Sequence, residues 1–256
     1  SYEFLLKGKE GHHTLTAEAN AKALKMFDAA IEADPDNAQA YAWKACTLGQ
    51  AMIRGYVDKP MQEIMPEFTN LMSSALSIDP NDFECHRLQC AVNKMMGDMK
   101  SALEHGKKAY DLNPNDPRIL QQYGEILLKT GKTEEGCDLT LLALEYDPVA
   151  QGQTNSDKRK SDGVFGCVLD DRPEIGLDIA SGMIDRSEKV LVYSAALAVG
   201  SAGSLKNFSW LTDDLKNSDF EQIEAAIEEM GKFDVVVQSK LKEVFLDHIL
   251  PLREAA

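Results

Sequence analysis

The most constraining feature of this sequence is a proline that recurs at a fixed spacing. Pro80, Pro114 and Pro148 are evenly placed, since 114 − 80 = 34 and 148 − 114 = 34, and each follows Asp or Asn. A fourth junction, Asp34-Pro35, lies 80 − 35 = 45 positions upstream, which is one period plus an insertion of 45 − 34 = 11. Periods of about 20 to 50 residues indicate stacked repeats. The spacing therefore favours a solenoid over a single-core domain.

Small residues recur at the same spacing between the prolines. Gly97 and Gly131 are one period apart (131 − 97 = 34), and so are Ala109 and Ala143 (143 − 109 = 34). Small side chains let two helices approach closely, and glycine accepts the left-handed conformation that often ends a helix. Proline is tolerated where a helix begins, because its missing N–H has no helical partner there. Each period is therefore predicted to be a helix, a tight turn and a second helix.

This pattern resembles the tetratricopeptide repeat (TPR). The matching positions are Ala23, Phe27 and Ala30, then Gly97, Asp98, Ala102 and Ala109, then Tyr123, Gly124, Gly131 and Ala143. Gly136 stands where alanine is usual, and Gly106 and Thr140 stand where an aromatic residue is common, which predicts looser helix packing there. The resemblance implies an all-α fold, a TPR-type α-α superhelix. This is a right-handed solenoid of antiparallel helix pairs, with about fourteen helices and no sheet.

The repeat register divides the chain into three segments. Residues 1–148 are predicted to hold the TPR repeats, and residues 149–162 a polar loop or, as the alternative, a frayed helix start. Residues 163–256 are predicted to form degenerate TPR-like helix pairs with a capping helix. The repeat junctions are Pro35, Pro80, Pro114 and Pro148. The 11 additional residues lie between Ile53 and Glu67 and predict either a second binding surface or a lengthened helix pair.

An apolar stripe at helical spacing lies near the C-terminus. Its residues are Leu241, Val244, Phe245, Ile249 and Leu252. Internal packing is the favoured interpretation, and a homodimer seam is the alternative, since a repeat array must cover its apolar end.

Composition excludes several classes of function. The 42 acidic and 27 basic residues give a net charge of −15, which argues against a nucleic-acid or anionic-membrane surface because both require a positive field. The longest apolar stretch covers only residues 190–203 and is too short to span a bilayer. Five cysteines without a C-x-x-C pair, and no signal-like N-terminus, predict reduced thiols in the cytoplasm.

No pattern in the sequence predicts catalysis, a cofactor or a metal site. Gly131-Lys132-Thr133 resembles part of a phosphate-binding loop, but six residues separate Gly131 from Gly124 where that loop requires four. The chain is therefore predicted not to be an enzyme, with no catalytic residues and no cofactor.

Histidines and cysteines are the other candidate ligands for a metal. Cys85 and Cys90 would lie about 140° apart around a helix, so that with His86 and His105 they do not form a zinc set. His12 and His13 are adjacent and are predicted to point apart. The prediction is no metal.

The TPR resemblance also implies where a partner binds. In TPR proteins the first helix of each pair lines the inner groove, at the second, fifth, ninth and twelfth positions counted from three residues past the junction proline. The candidate partner-binding residues are Gln39, Glu84, Arg87, Lys94, Arg118, Gln121 and Glu125, and further groove positions are Ala42, Cys46, Gly49, Ala91 and Leu128. Arg87, Lys94 and Arg118 predict a mildly basic groove that takes an acidic protein or peptide segment. Solvated charge, with the interface elsewhere, is the alternative.

The N-terminal repeats are similar to one branch of the family. Residues Tyr2–Lys9, Ala23–Phe27 and Asp34–Ala42 resemble the repeat region behind the catalytic domain of bacterial class III adenylate/guanylate cyclases. The same region follows winged-helix DNA-binding domains in bacterial transcription activators. The resemblance implies a non-catalytic regulatory module at the C-terminus of a cyclase-type signalling protein, whose metal-binding aspartates lie outside this chain. The alternatives are the sensory region of a winged-helix transcription regulator and a stand-alone TPR adaptor.

Overall fold

Short polar side chains and glycines set the limits of the helices. The computed structural model of the protein describes residues 1–148 and 157–254. The side chains of Asn37, Asp82 and Asp98 each accept a hydrogen bond from the amide three residues on, at 3.2, 2.8 and 3.0 Å. Each satisfies an amide that lacks a helical partner. Gly97 and Gly131 have φ of +78° and +83° and lie in the turns between paired helices, as the sequence predicts.

The first of two structural units, unit 1, covers Ser1–Tyr123. Its helices are α1 (Tyr2–His13), α2 (Ala17–Ala33), α3 (Ala38–Ile53), α4 (Met61–Ile78), α5 (Phe83–Met95), α6 (Met99–Leu112) and the first part of α7 (Pro117–Lys129). Helix α1 packs against α2, α3 against α4, and α5 against α6. Helix α3 also contacts both α1 and α5, so the first helices of successive pairs form one continuous layer. The predicted groove residues Gln39, Glu84, Arg87 and Lys94 lie on α3 and α5 of that layer, and the other three lie on α7.

The 11 additional residues lie inside the second helix pair. That pair runs from Ala38 to Ile78, and the next pair runs from Phe83 to Leu112. Their lengths differ by (78 − 38) − (112 − 83) = 11 positions, which a longer α3, a longer α4 and the loop over 54–60 take up. The helix pair is therefore lengthened, and a role of the insertion as a second binding surface stays a prediction.

Unit 2 covers Gly124–Ala256 and begins within α7. Its further helices are α8 (Thr133–Tyr146), α9 (Asp157–Leu169), α10 (Pro173–Ser181), α11 (Glu188–Ala202), α12 (Ser209–Lys216), α13 (Phe220–Met230), α14 (Val235–Val244) and α15 (Leu250–Glu254). A π-helical segment, Phe245–Ile249, joins α14 to α15 without a break. Counted as continuous helices, the described residues form fourteen, and no strand occurs among them. The predicted all-α, TPR-type fold class is confirmed.

The core of unit 2 forms around α11, whose residues from Val190 to Ala198 are all buried. The predicted apolar stripe contributes to the same core: Leu241, Val244, Phe245 and Ile249 are buried in it, and Leu252 packs against it. Internal packing of this stripe, the favoured interpretation, is therefore confirmed. Among the described helices, none has the length and apolar character to cross a membrane.

Over residues 157–162 the predicted loop is wrong, and the alternative of a helix start is confirmed. Residues 149–156 lie outside the described part of the chain, but α9 begins at Asp157. The Asp157 carboxylate accepts hydrogen bonds from the amides of Ile184 and Asp185 at 3.1 and 2.7 Å. The fully buried Arg159 donates to the Ala143 carbonyl at 2.9 Å. The polar sequence misleads because these side chains are buried against backbone groups and do not face water.

The prediction of loose packing at Gly136, Gly106 and Thr140 is also wrong. A β-carbon on Gly136 would lie 2.8 Å from both the carbonyl oxygen of Gly124 and the amide nitrogen of Leu128. A β-carbon on Gly106 would lie 2.9 Å from the ring of Tyr123, and Thr140 is 1% exposed. At both glycines the neighbouring element approaches more closely than alanine allows.

Candidate functional site

Trp43, on α3, is surrounded by basic and histidine side chains from α1 and α5. Its side chain is 2% exposed, and the Lys9 ammonium and Arg87 guanidinium lie over the ring, 5.2 and 5.7 Å from its centroid. The rings of His12 and His13 pack edge-on against the indole, with centroids 5.3 and 5.6 Å away. The prediction that the two histidines point apart is wrong, since their own centroids are 5.2 Å apart. Both rings are held by the same aromatic surface.

Glu84 is a buried carboxylate that binds two arginines. Its side chain is 3% exposed and accepts from Arg87 Nε and Nη2 at 2.9 Å each, and from Arg118 Nη1 at 3.1 Å. Arg118 also forms a fork with Asp116, at 3.1 and 2.6 Å. Burial raises the pKa of Glu84, but the hydrogen bonds from Arg87 and the charges of Arg87, Arg118 and Lys9 outweigh it, so the pKa is lowered. Glu84 is therefore an ionised structural partner of the arginines.

The structure separates the predicted groove residues by role. Within unit 1, the carboxylates of Glu84 and Asp116 neutralise Arg87 and Arg118. Gln39 bridges Lys9 and Asp82 through hydrogen bonds of 3.0 and 2.9 Å. The remaining three differ in location: Lys94 lines a cavity, Gln121 is half-buried on α7, and Glu125 lies in unit 2, where Lys129 donates to it at 2.6 Å. Of the three basic residues predicted for the groove, Lys94 is the one that lines this cavity.

A cavity of about 390 Å³, here called the inner cavity, lies among α1, α3, α4 and α5. Four predicted groove positions line it: Cys46, Gly49, Ala91 and Lys94. His12 lines it too, and its Nε2 lies 4.0 Å from the Cys46 sulfur. Sequence reasoning missed His12 because α1 has no junction proline before it. The repeat spacing could nevertheless have identified His12 as a groove position, since it lies one period before Cys46 (46 − 12 = 34).

His12 is held neutral by a buried hydrogen-bond network. The Thr47 hydroxyl donates to the Trp43 carbonyl at 2.8 Å, so it accepts from His12 Nδ1–H at 3.0 Å. The Gln50 amide donates to the His12 carbonyl at 3.1 Å, and its oxygen accepts from Asn20 at 2.8 Å. Burial, with the charges of His13, Arg87 and Arg54, lowers the pKa of His12 to about 4.

Acid is therefore expected to destabilise unit 1 through His12. Its pKa of about 4 lies below the usual unfolded value of about 6.5. The unfolded chain then binds more protons between these values, and stability falls as pH falls from about 6.5 toward about 4. Between pH 7 and pH 5 the free energy of unfolding should drop by about 2 kcal/mol from this group. Urea titrations across this range should show a shallower pH dependence in His12→Gln, and equal slopes would contradict the assignment.

The structure brings His86 and His105 together as a hydrogen-bonded pair. Their Nδ1 atoms are 2.9 Å apart, and His86 Nε2 lies 2.9 Å from the Pro80 carbonyl. Because a carbonyl only accepts, His86 carries its proton on Nε2 and accepts from His105 at Nδ1. Burial and the charge of His86 lower the pKa of His105. Across the described residues, no three His, Cys, Asp or Glu side chains are gathered as a metal site.

A smaller cavity of about 180 Å³ occurs in unit 2. Phe165, Tyr193 and Phe233 line it, and Phe165 lies 6.0 and 6.2 Å from the other two ring centroids. Its lysines are already bonded within the cavity, Lys129 to Glu125 and Lys189 to Glu229. Tight ring packing and paired charges make this cavity the weaker candidate for a partner.

No protein-family model matches the sequence, and no curated protein sequence matches it. Solved structures do match. The Pseudomonas aeruginosa pilF protein aligns with a TM-score of 0.58 and 13% identity, over 94% of this chain and 97% of that one. The APC/C hetero-tetramer Cut9-Hcn1 aligns with a TM-score of 0.54 and 12% identity, over 95% of this chain and 46% of that one. A tetratricopeptide repeat protein from Parabacteroides merdae aligns with a TM-score of 0.49 and 12% identity, over 100% and 89%.

The likeness is one of fold. At these identities it establishes the arrangement of helices. It agrees with the chain's own helix–turn–helix period between successive junction prolines, because the TPR period is about 34 residues.

Proposed function

We propose that the chain is a TPR-type protein-interaction module that binds a protein or peptide segment on the inner helices of unit 1. The observation that carries the proposal is the inner cavity, because four of the predicted groove positions line it. A repeat scaffold offers a rigid, continuous surface of this kind, and its function depends on that surface. One protein chain of similar fold belongs to the hetero-tetramer Cut9-Hcn1.

The proposal includes a non-catalytic role in a larger signalling protein. Residues Tyr2–Lys9, Ala23–Phe27 and Asp34–Ala42 support a place at the C-terminus of a bacterial cytoplasmic adenylate cyclase-type protein. A winged-helix transcription regulator and a stand-alone adaptor are the other candidates. The coding sequence upstream of Ser1 decides among them. A class III cyclase domain supports the first, a basic winged helix the second, and neither one contradicts both.

Selection from a random peptide library on the intact chain tests the binding function. We expect enriched peptides to bind with micromolar affinity and to protect amides of α1, α3 and α5 from hydrogen exchange. Protection confined to α2, α4 and α6, or enrichment equal to that on the urea-unfolded chain, would contradict the proposal.

Charge reversal at Lys94 should weaken the binding of acidic peptides. Lys94 lines the inner cavity, so Lys94→Glu places a negative charge beside the ligand and should raise the Kd about tenfold. The matched control is Lys100→Glu, the same charge change at an exposed position on α6. Reversal at Arg87 or Arg118 is unsuitable because it would leave Glu84 facing like charge. Isothermal titration of both variants provides the measurement, and an equal Kd in the two would exclude Lys94.

A further inference from the structure

We propose that the inner cavity anchors one bulky apolar side chain of the partner segment, and that carboxylates flanking this side chain contact Arg54 and Lys94. This inference rests on the proposed function and names the chemistry of the partner. Three properties of the inner cavity support it: its wall, its polar floor and its rim.

The wall of the inner cavity is apolar. Phe68, Leu88, Ala91 and Val92 form much of it, around a volume of about 390 Å³. Ligand sites usually enclose about 300 to 1,000 Å³, so this cavity lies near the lower limit. An apolar cavity of about 150 Å³ already holds benzene, so the inner cavity has room for one large side chain, such as leucine, methionine or phenylalanine, together with parts of its neighbours. It is too small for a whole helix.

The polar groups on the floor of the inner cavity do not require hydrogen bonds from a bound side chain. Its polar residues, His12 and Gln50, are already hydrogen-bonded within the protein, His12 to Thr47 and Gln50 to the His12 carbonyl and to Asn20. An apolar side chain can therefore enter without depriving a buried polar group of its partner.

The rim of the inner cavity is basic and apolar. Among the described residues that line it, Arg54 and Lys94 carry a permanent positive charge and none is acidic. The net charge of the whole chain, by contrast, is −15. Ile53 and Met95 also line it and are 70% and 37% exposed, so they lie at its mouth. A small acid in the cavity would leave these side chains in water, whereas a peptide covers them. Charge complementarity thus favours a peptide with Asp or Glu beside its apolar residue.

A set of short synthetic peptides tests the inference on the intact chain. The peptides carry a central leucine or alanine, flanked by glutamates or by lysines. The leucine–glutamate peptide is expected to bind about tenfold more tightly than either the alanine–glutamate or the leucine–lysine peptide. Fluorescence anisotropy of the labelled peptides gives the Kd values.

Filling the inner cavity should abolish this preference. A β-carbon at Gly49 meets only the Phe68 ring, at 3.5 Å, so Gly49→Leu can extend into the cavity and should weaken the leucine–glutamate peptide at least about tenfold. Ala91→Leu fills it from the opposite wall. The matched control is Gly200→Leu in unit 2, where a β-carbon meets only the flexible end of Lys240, at 3.3 Å. Circular dichroism establishes that each variant is folded.

Equal binding of the leucine and alanine peptides would overturn the inference. So would undiminished binding to Gly49→Leu and Ala91→Leu when both are folded. Displacement of the peptide by octanoate at a comparable concentration would show that a small apolar acid is the natural class of ligand. The proposed function survives these outcomes if library-selected peptides still protect the inner helices, so the two failures are distinguishable.

Discussion

Replacing Arg87 with methionine is expected to lower the free energy of unfolding of unit 1 by about 3 kcal/mol. The substitution keeps an apolar stem but removes both hydrogen bonds to Glu84, whose carboxylate is 3% exposed. Removing one partner of a buried ion pair costs about 3 to 5 kcal/mol, because the remaining charge is left in a poorly hydrated site. Arg118 still contacts Glu84, which places the expected loss at the lower end of that range.

The chain contains two tryptophans, Trp43 in unit 1 and Trp210 in unit 2. Urea unfolding followed by Trp43 fluorescence, in a Trp210→Phe background, therefore reports on unit 1. The control is Lys107→Met, which breaks an exposed ion pair with Asp111 and should change stability by less than about 0.5 kcal/mol. Adding Glu84→Gln to Arg87→Met should restore part of the loss, since the uncompensated charge is removed. Equal losses for Arg87→Met and Lys107→Met would contradict the ion-pair explanation.

Restoring the usual TPR alanine at Gly136 is expected to destabilise unit 2 by about 3 kcal/mol. The new β-carbon would lie 2.8 Å from the Gly124 oxygen and from the Leu128 nitrogen, and backbone atoms cannot rotate away. Overpacking typically costs about 1 to 3 kcal/mol and sometimes more, and here it exceeds the gain of about 1 kcal/mol in helix propensity. Trp210 fluorescence in a Trp43→Phe background measures the change.

Gly49→Ala is the matched control for this substitution. Gly49 also lies inside a helix, but its β-carbon would meet only Phe68, at an ordinary 3.5 Å. The same replacement should therefore be neutral or stabilise unit 1 by up to about 1 kcal/mol. If both variants shift stability in the same direction, close backbone approach is not what requires glycine at position 136.

The helix pairs could be predicted from the sequence because their signals are local. Proline at a junction, glycine with positive φ at a turn, and Asp or Asn at a helix start act within a few residues. Gly97 and Gly131 illustrate this, since both have positive φ at the turns that the repeat spacing predicts. Asp82 caps α5 through the amide of Cys85 in the same local way. The sequence leaves the start of α9 undecided because Asp157 and Arg159 are polar, and only their distant backbone partners explain their burial.

The candidate site was only partly predictable for the same reason. Counting along the repeat finds Cys46, Gly49, Ala91 and Lys94, which line one cavity. It does not reveal that Arg87 and Arg118 share a buried carboxylate. The repeat position of a charged residue predicts which face of the helix it lies on. It does not predict whether that side chain is already paired, because the pairing partners come from other repeats.

The 11 additional residues in the second helix pair contribute to the mouth of the inner cavity. Aligned by the offset between Pro35 and Pro80 (80 − 35 = 45), Gln50 corresponds to Met95, the last residue of α5. Helix α3 continues to Ile53, about one turn or about 4.5 Å further. That extra turn carries Ile53 and leads to Arg54, which together form one side of the cavity mouth. Identical repeats would present the same side chains on every inner helix. The longer second repeat therefore gives this part of the scaffold a surface that the other repeats lack.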